Sequence, residues 1–497
     1  MPGADQDRSQ GGLAVDGIGG TAGSQREDVA GNAADGGSHS AARKASSPSV
    51  TDARRAAADV CADIRAGDLL DIAFDRRTAR LDGRDRRWTR ELLYGMLRRR
   101  AWIDAHLDAR VRGGIARLDA DLLDLLRLGA AQLLYMESVP AYAAIAQSVE
   151  LAKQRHGMGA SKLVNAVLRR VDREHESLSL PVLTEMVSAL SLSGSHPRWL
   201  VARWVERYGA DQTRKLLDAN NREAPLIARP YHVVREQLEA MLETAGVHVD
   251  EAPLVRDSIL LSSPVSSLTE LGAFRQGLFH LQDPASTLVA QYACVPTGAI
   301  VADVCAAPGG KSIELSRAAS VVFASDSSFA RIERIVENAH RLEIPSLMPY
   351  VADANQPAIR PVDLVLVDAP CTGTGTFRRH PDARWRLKIS DIAVMSAVQR
   401  SILRSAASIV RPGGLLVYST CSLEPEENDE QVDQFLAEHP GWRLDPPPEG
   451  VVPAAVLDAG RLRVLPQVHG TDGAFAVRLR NVGEKHTESE AETGPRG

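Results

Sequence analysis

From residue 298 to about residue 481, apolar runs of five to seven residues alternate with amphipathic stretches. The runs are "AIVADVCA", "VVFASD", "DLVLVDAP" and "GGLLVYSTC"; between them lie "GKSIELSRAA", "FARIERIVENAHRLEI" and "VMSAVQRSILRSAASIV". Short apolar strands separated by helical segments imply an α/β domain with a parallel sheet covered on both faces. Ligands of such sheets sit beyond the carboxyl ends of the strands. Residues 297–481 are therefore expected to form one domain whose chemistry lies on one rim.

The rest of the chain is organised differently. Over about 50–175, stretches such as "DADLLDLLRLGAAQLLYMES" and "ASKLVNAVLRRVDREH" repeat apolar residues at three- and four-residue spacing, which predicts five or more helices and no strands. Boundaries of 48–180 follow for an all-α domain. Residues 190–296 mix helix ("PRWLVARWVERYG") with short strands ("APLIARPY", "DSILLSS", "GLFHLQD"), as a small α+β linking domain would. Residues 1–47 and 482–497 have almost no large apolar side chains and are expected to be disordered.

The net charge of −6 argues against a strongly nucleic-acid-binding chain, but the two tails hold ten acidic and six basic side chains, so the body is near neutral and local patches decide. One such patch is "GRDRRWTRELLYGMLRRR", with Arg84, Arg86, Arg87, Arg90, Arg98, Arg99 and Arg100; it fits either a solvated helix face or a surface for RNA phosphates. No apolar run is long enough to span a bilayer, and the first residues lack the charge and apolar core of a signal peptide, so a cytoplasmic location without membrane contact is expected. The five cysteines include no C-x-x-C pair, which argues against a disulfide framework or a metal cluster.

Polar residues gather where the predicted strands end. "VADVCAAPGGKSIEL" places a Gly-rich turn, Cys305-Ala306-Ala307-Pro308-Gly309-Gly310-Lys311, between a strand and a helix. Its spacing fits neither the P-loop nor the dinucleotide fingerprint, and by itself it is also what a plain tight turn looks like. Asp326 ends the next strand, where an acid suits the hydroxyls of an adenosine ribose. Asp353 ends the following segment, within reach of an adenine amino group, and Asp368 ends the fourth strand. Each acid alone could be a helix cap or a solvated loop residue. Together on one rim they fit an adenosyl compound without phosphates; S-adenosylmethionine fits, because nothing here offers a pyrophosphate cradle.

Two thiols share this rim. Cys371 follows one strand in Pro-Cys-Thr-Gly, and Cys421 follows another in Thr-Cys-Ser. Cys61 and Cys294 read as ordinary packing residues. A thiolate is a soft nucleophile, activated by nearby positive charge. Carbon 5 of cytosine takes a methyl group only after a nucleophile has added at carbon 6, which makes carbon 5 enamine-like. One thiol beside a methyl donor supplies that nucleophile, and a second can assist proton removal or release.

"DVCAAPGGK", "DAPCTGTG", "RRHPD" and "YSTCSLEPEENDEQV" resemble the signatures of the RNA cytosine-5 methyltransferases of the Nol/Nop/Sun group, and most closely its bacterial Sun type. The resemblance covers about 50–480. "RELLYGMLRR" and "LVNAVLRR" resemble the NusB RNA-binding fold, and "HPRWLVARW", "LDANNREAP", "LQDPAS" and "DGAFAVRL" are similar to other Sun-type segments. It implies a Rossmann-like S-adenosylmethionine methyltransferase domain, with Cys421 as nucleophile, Cys371 assisting release, and Cys305 to Lys311, Asp326, Asp353 and Asp368 as cofactor contacts. Lys311 and Asp368 are also placed to face the target base. The implied substrate is a cytosine of small-subunit ribosomal RNA, before full subunit assembly, with no role for DNA and a monomer as the acting form. Thr372 and Thr374 stand where Ser and Ala are commoner in the family.

Three other functions share some of these features. A DNA cytosine-5 methyltransferase would use Cys371 as the attacker, but its Glu-Asn-Val element is missing. A non-catalytic assembly factor would use the helical domain beside a dead methyltransferase fold. A methyltransferase of another RNA, such as tRNA, would share the whole catalytic rim.

Overall fold

The computed structural model describes residues 49–177, 179, 181–262 and 268–483. The expected disorder of 1–47 and of the C-terminal tail falls outside these residues, save for Val482 and Gly483.

Six helices open the described chain: α1 (Asp52–Arg65), α2 (Leu70–Thr78), α3 (Gly83–Arg98), α4 (Arg100–Asp108), α5 (Ala120–Tyr135) and α6 (Ala141–Glu174). Their apolar stripes bury Leu92, Leu93, Leu126, Val164 and Leu168 in one core. Each such side chain contributes roughly 1.5–3 kcal/mol when fully buried. The two helical segments expected on either side of Gly157 are present, with the chain breaking helical geometry at Gly157 itself (φ 81°).

α7 (Met186–Gly194) and α8 (Arg198–Asn221) lead to a small antiparallel sheet of β1 (Leu226–Pro230), β2 (His248–Glu251), β3 (Ile259–Ser262) and β4 (Phe279–Leu281), ordered β2-β3-β1-β4, with α9 (Arg235–Thr244) and α10 (Gly272–Arg275) between strands. The three strands expected here form. β2, "HVDE", was not expected, because three of its four residues are exposed and carry no apolar signal.

The remaining elements are α11 (Pro284–Ala293), β5 (Ile300–Asp303), α12 (Gly310–Leu315), β6 (Val321–Asp326), α13 (Phe329–Arg341), β7 (Leu347–Val351), β8 (Val362–Asp368), α14 (Ala383–Arg386), α15 (Ile389–Ala407), β9 (Val410–Thr420), α16 (Asp429–Glu438), β10 (Trp442–Leu444), β11 (Leu457–Asp458), β12 (Arg461–Val464), α17 (Pro466–His469) and β13 (Ala474–Asn481). The sheet order is β11-β12-β13-β9-β8-β5-β6-β7, with β10 on β13. Both faces are covered, as expected. Val301, Leu364, Leu366, Leu415 and Val417 join one core, and their neighbours Ala302, Val365, Val367, Leu416 and Tyr418 join another.

The sheet is not wholly parallel, however. β5 to β9 run parallel, whereas β10 to β13 pair antiparallel. "RLRV" and "AFAVRLRN" are close enough in sequence to return without a crossover helix, which only antiparallel pairing allows. From β5 the chain steps to β6 and β7 on one side, then crosses to β8 and β9 on the other. The crevice beyond β5 and β8 is the topological switch point, where ligands of such sheets bind.

Candidate active site

On the β5–β6–β7 side of the crevice, the Cys305–Lys311 turn joins β5 to α12 and is closed by Ala306 N–H donating to Ser325 O (2.8 Å) and Gly309 N–H to Ala306 O (2.7 Å). Gly309 has φ 102°, and a Cβ there would come within 3.2 Å of Ile335, so glycine is required. Cys305 itself is no nucleophile: burial, then the acids Asp303, Asp368 and Asp326, push its thiol far up. Its place is structural, as one residue of the turn.

Asp326 is the last residue of β6; its Oδ1 accepts from Ser328 N–H (2.9 Å) and pairs with Arg331 (2.8 Å). Asp353, two residues past β7, accepts from Asn355 N–H at 2.9 Å, also through Oδ1. Among the described residues, Oδ2 of both acids takes no hydrogen bond. Two carboxylates on adjacent strand ends, each with an acceptor to spare beside a tight Gly turn, fit the hydroxyl and amino donors of an adenosyl group. Asp368 ends β8 across the crevice, where it accepts from Lys311 Nζ (2.7 Å) and Ser419 Oγ (2.8 Å). Lys311 is charged: burial opposes this, but Asp368 holds its pKa up.

Cys371 and Cys421 follow β8 and β9, which are neighbours, and their sulfurs lie 3.3 Å apart. They are not equivalent. The hydrogen bond from Cys371 lowers the pKa of Cys421, against burial and Asp368, with Lys311 and His380 adding to the lowering. The same bond, with burial, raises Cys371 well above the ordinary thiol range. Either sulfur can donate to the other, and the surroundings favour Cys421 as the one that ionises.

The sequence did not single out the residue that sets this spacing. Glu427 is fully buried below the thiols. Its Oε1 accepts from Thr372 N–H (2.8 Å) and Gln399 Nε2 (2.9 Å), and its Oε2 from Thr372 Oγ1 and Ser422 Oγ. One carboxylate therefore ties the residues that follow both cysteines. Thr374 Oγ1 adds a second tie, accepting from Leu423 N–H at 2.8 Å. The two threonines that depart from the commoner family residues thus both fasten these loops. Gly375 completes the junction: a Cβ there would lie 2.7 Å from Cys421 O. "EPEEN" concealed Glu427, because a run of acids reads as solvated; the available signal was its place six residues after Cys421.

The linking and helical regions both reach this junction. Trp204 of α8 donates to Glu424 at 3.1 Å, and Arg203 pairs with Glu424 (2.9 Å) and Glu426 (2.8 Å). Arg378 of "RRHPD" lies buried between Asp283 of "LQDPAS" (2.7 Å) and Asp472 of "DGAFAV" (2.6 Å). Of the other thiols, Cys61 is buried with its pKa pushed up to about 12 by burial, as a packing residue would be, whereas Cys294 is only half-buried, at the left-handed cap of α11. The basic helix is divided in role. Arg86 pairs with Asp75 and Arg98 donates to Arg378 O, while Arg84 and Arg87 are exposed and make no ion pair among the described residues.

A Rossmann-like sheet with a Gly-rich turn and strand-end carboxylates at its switch point, and a pair of thiols beside them, fits an S-adenosylmethionine-dependent methyltransferase. Comparison with known proteins is more specific. Residues 295–480 match the family model described as 16S rRNA methyltransferase RsmB/F, 51–173 match the NusB family, and 196–267 match the RsmF/B-like ferredoxin-like domain. The chain is 32% identical over 86% of its length to the probable ribosomal RNA small subunit methyltransferase B of Synechocystis sp., covering 99% of that protein, and 34% identical over 79% of its length to the probable Bacillus subtilis counterpart, covering 90% of it. A crystal structure titled PH0851 superposes with a TM-score of 0.73 at 26% identity, over 87% of this chain and 99% of that one. The chain belongs to the RsmB/F family of methyltransferases.

Proposed function

We propose that this protein methylates carbon 5 of a cytosine in small-subunit ribosomal RNA through a covalent Cys421 adduct. The thiol pair carries this reading: two sulfurs 3.3 Å apart, beside an Asp368–Lys311 pair at the switch point. Cys305 to Lys311, Asp326 and Asp353 hold the cofactor, and S-adenosylmethionine supplies there an electrophilic methyl group. The Cys421 thiolate adds to carbon 6 of the base, and the displaced π-electron pair makes carbon 5 nucleophilic. Asp368 accepts from the cytosine amino edge, and Lys311 sits by the ring carbonyl oxygen, where an ammonium stabilises the charge that addition creates. Methyl transfer to carbon 5 leaves S-adenosylhomocysteine; the carbon 5 proton then passes to water, which restores the ring double bond and expels the Cys421 thiolate, and Cys371 assists that release by donating a hydrogen bond to the departing sulfur.

The exposed Arg84 and Arg87 of α3 offer phosphate contacts for the RNA, in a domain of NusB type. The substrate is free rRNA before full subunit assembly, the acting form a monomer, and the site of action the cytoplasm; among the described residues no helix is long and apolar enough to cross a membrane. Three working regions, 48–180, 190–296 and 297–481, divide the labour into RNA binding, linking and catalysis.

The test is transfer of labelled methyl groups to unmodified small-subunit rRNA. Label on one cytosine is expected for the wild type, none for Cys421→Ala, and a trapped protein–RNA adduct for Cys371→Ala. An adduct formed by Cys421→Ala and lost in Cys371→Ala would reverse the two roles. Absence of label from rRNA with label on tRNA would move the substrate, and absence from every RNA would overturn the activity.

A further inference from the structure

The loop that leaves Cys371 returns to the sheet through "RRHPDARW", and it is held from outside the methyltransferase domain. Trp385 Nε1 donates to Leu97 O of α3 at 2.9 Å, Arg98 donates to Arg378 O at 3.2 Å, and Arg100 of α4 lies over the Trp385 ring at 5.2 Å. Within this contact, His380 Nδ1 is 3.1 Å from Asp71 Oδ2 of α2, and Tyr94 of α3 donates to the other oxygen of Asp71 at 2.5 Å. The backbone carries His380 back toward the thiols. His380 N–H donates to Thr376 O (3.1 Å), Thr376 Oγ1 donates to Gly373 O (2.9 Å), and the Cβ position of Gly373 is 3.9 Å from Cys421 Sγ.

We propose that His380 is a positioning residue for the Cys421 thiolate, and that Asp71 holds it in place, so that the helical domain completes the methyltransferase site. This rests on Cys421 being the nucleophile. Asp71 from α2 faces His380, both side chains being half-exposed, and the charges of Asp382 on its own loop and of Cys421 after β9 also act on it; Arg90 and Tyr94 of α3 border Asp71. Burial disfavours the imidazolium, but the Asp71 hydrogen bond and charge outweigh it and raise the His380 pKa. A cation so held stabilises the thiolate and drains when Asp71 is removed. A helical domain displaced from the loop would leave the thiol less reactive, which links RNA engagement to nucleophile strength.

The experiment measures the pH dependence of iodoacetamide alkylation of Cys421 in the full chain, read at that residue by mass spectrometry, for wild type, His380→Gln and Asp71→Asn. Because it uses no RNA, its outcome is separate from that of the methyl-transfer assay. The midpoint is expected to rise by about half a pH unit or more in His380→Gln, the scale of a lost screened charge, and by part of that in Asp71→Asn. The same variants should lower kcat more than they raise KM for RNA. Midpoints that superimpose on the wild type, with only thermal stability reduced, would make the Asp71–His380 pair a domain fastener and overturn the proposal.

Discussion

On the β5–β6–β7 side of the switch point, the functional carboxylates stand at strand ends with an oxygen free. On the β8–β9 side, Glu427 is fully buried and each of its oxygens accepts two hydrogen bonds. The first arrangement suits a small molecule that enters and leaves at every turnover, because the donors it brings complete the acceptors. The second suits a pair of sulfurs whose separation decides which one keeps the proton. Binding is written in strand-end acids with an acceptor left open; nucleophile geometry is written in a closed, buried polar network, which is costly when left incomplete.

The thiol side should therefore break abruptly. Glu427→Ala leaves the Thr372 amide, the Gln399 amide and two hydroxyls without their acceptor. A loss of about 3 kcal/mol or more is expected, since each buried unsatisfied donor costs about 1–3 kcal/mol. Thermal unfolding should show it as a clear drop in Tm, and Cys421 alkylation at neutral pH should slow because Cys371 is no longer held as its donor. A variant that kept both its melting temperature and its thiol reactivity would show that the two loops are fixed elsewhere.

The cofactor side should fail by degrees. Asp326→Ala removes one buried carboxylate, whose partners are the Ser328 amide and the exposed Arg331, and leaves the Glu427 network intact. S-adenosylmethionine binding, followed by calorimetry, should weaken about tenfold or more, in line with about 1.5–3 kcal/mol for a hydrogen bond to a charged group. Folding stability should hardly move, and saturating cofactor should restore most of kcat. Unchanged affinity would remove Asp326 from the cofactor site; lost folding would erase the contrast between the two sides.

The same contrast explains what could be read from the residues alone. Strand ends announce themselves: "VVFASD" and "DLVLVDAP" are apolar runs that stop at an acid, so Asp326 and Asp368 were legible, as were both thiols. The helical region was legible from its spacing. What stayed hidden depends on distant partners. Glu427 looks like its solvated neighbour Glu426 until Thr372, 55 residues away, folds onto it. Asp71 in "LLDIAFDRR" gives no sign that His380 will meet it. The antiparallel half of the sheet was missed for a related reason: period-two alternation marks a strand but does not say which way its neighbour runs.

Between the two halves lies Asp303, the last residue of β5, fully buried, with Oδ2 accepting from Ser312 Oγ at 2.6 Å and Oδ1 without a hydrogen-bond partner among the described residues. Burial pushes its pKa up to about 7, with the Asp368 charge adding to the rise and Ser312 opposing it. Its sign is opposite to that of most folded carboxyls. Between its ordinary value of 3.8 and about 7 the folded protein keeps a proton that the unfolded chain has released. Stability from this group is therefore full below the lower value and falls as pH rises, by about 1 kcal/mol between pH 6 and 7. Asp303→Asn imitates the protonated acid and should flatten the fall of Tm over that interval while leaving the values below pH 4 close to wild type. If the slope survives the substitution, the proton is held elsewhere on the rim. If it disappears, the floor beneath the Lys311–Asp368 pair is neutral in mildly acid solution and takes up a negative charge as pH rises past about 7, so the charge balance at the switch point changes across neutrality.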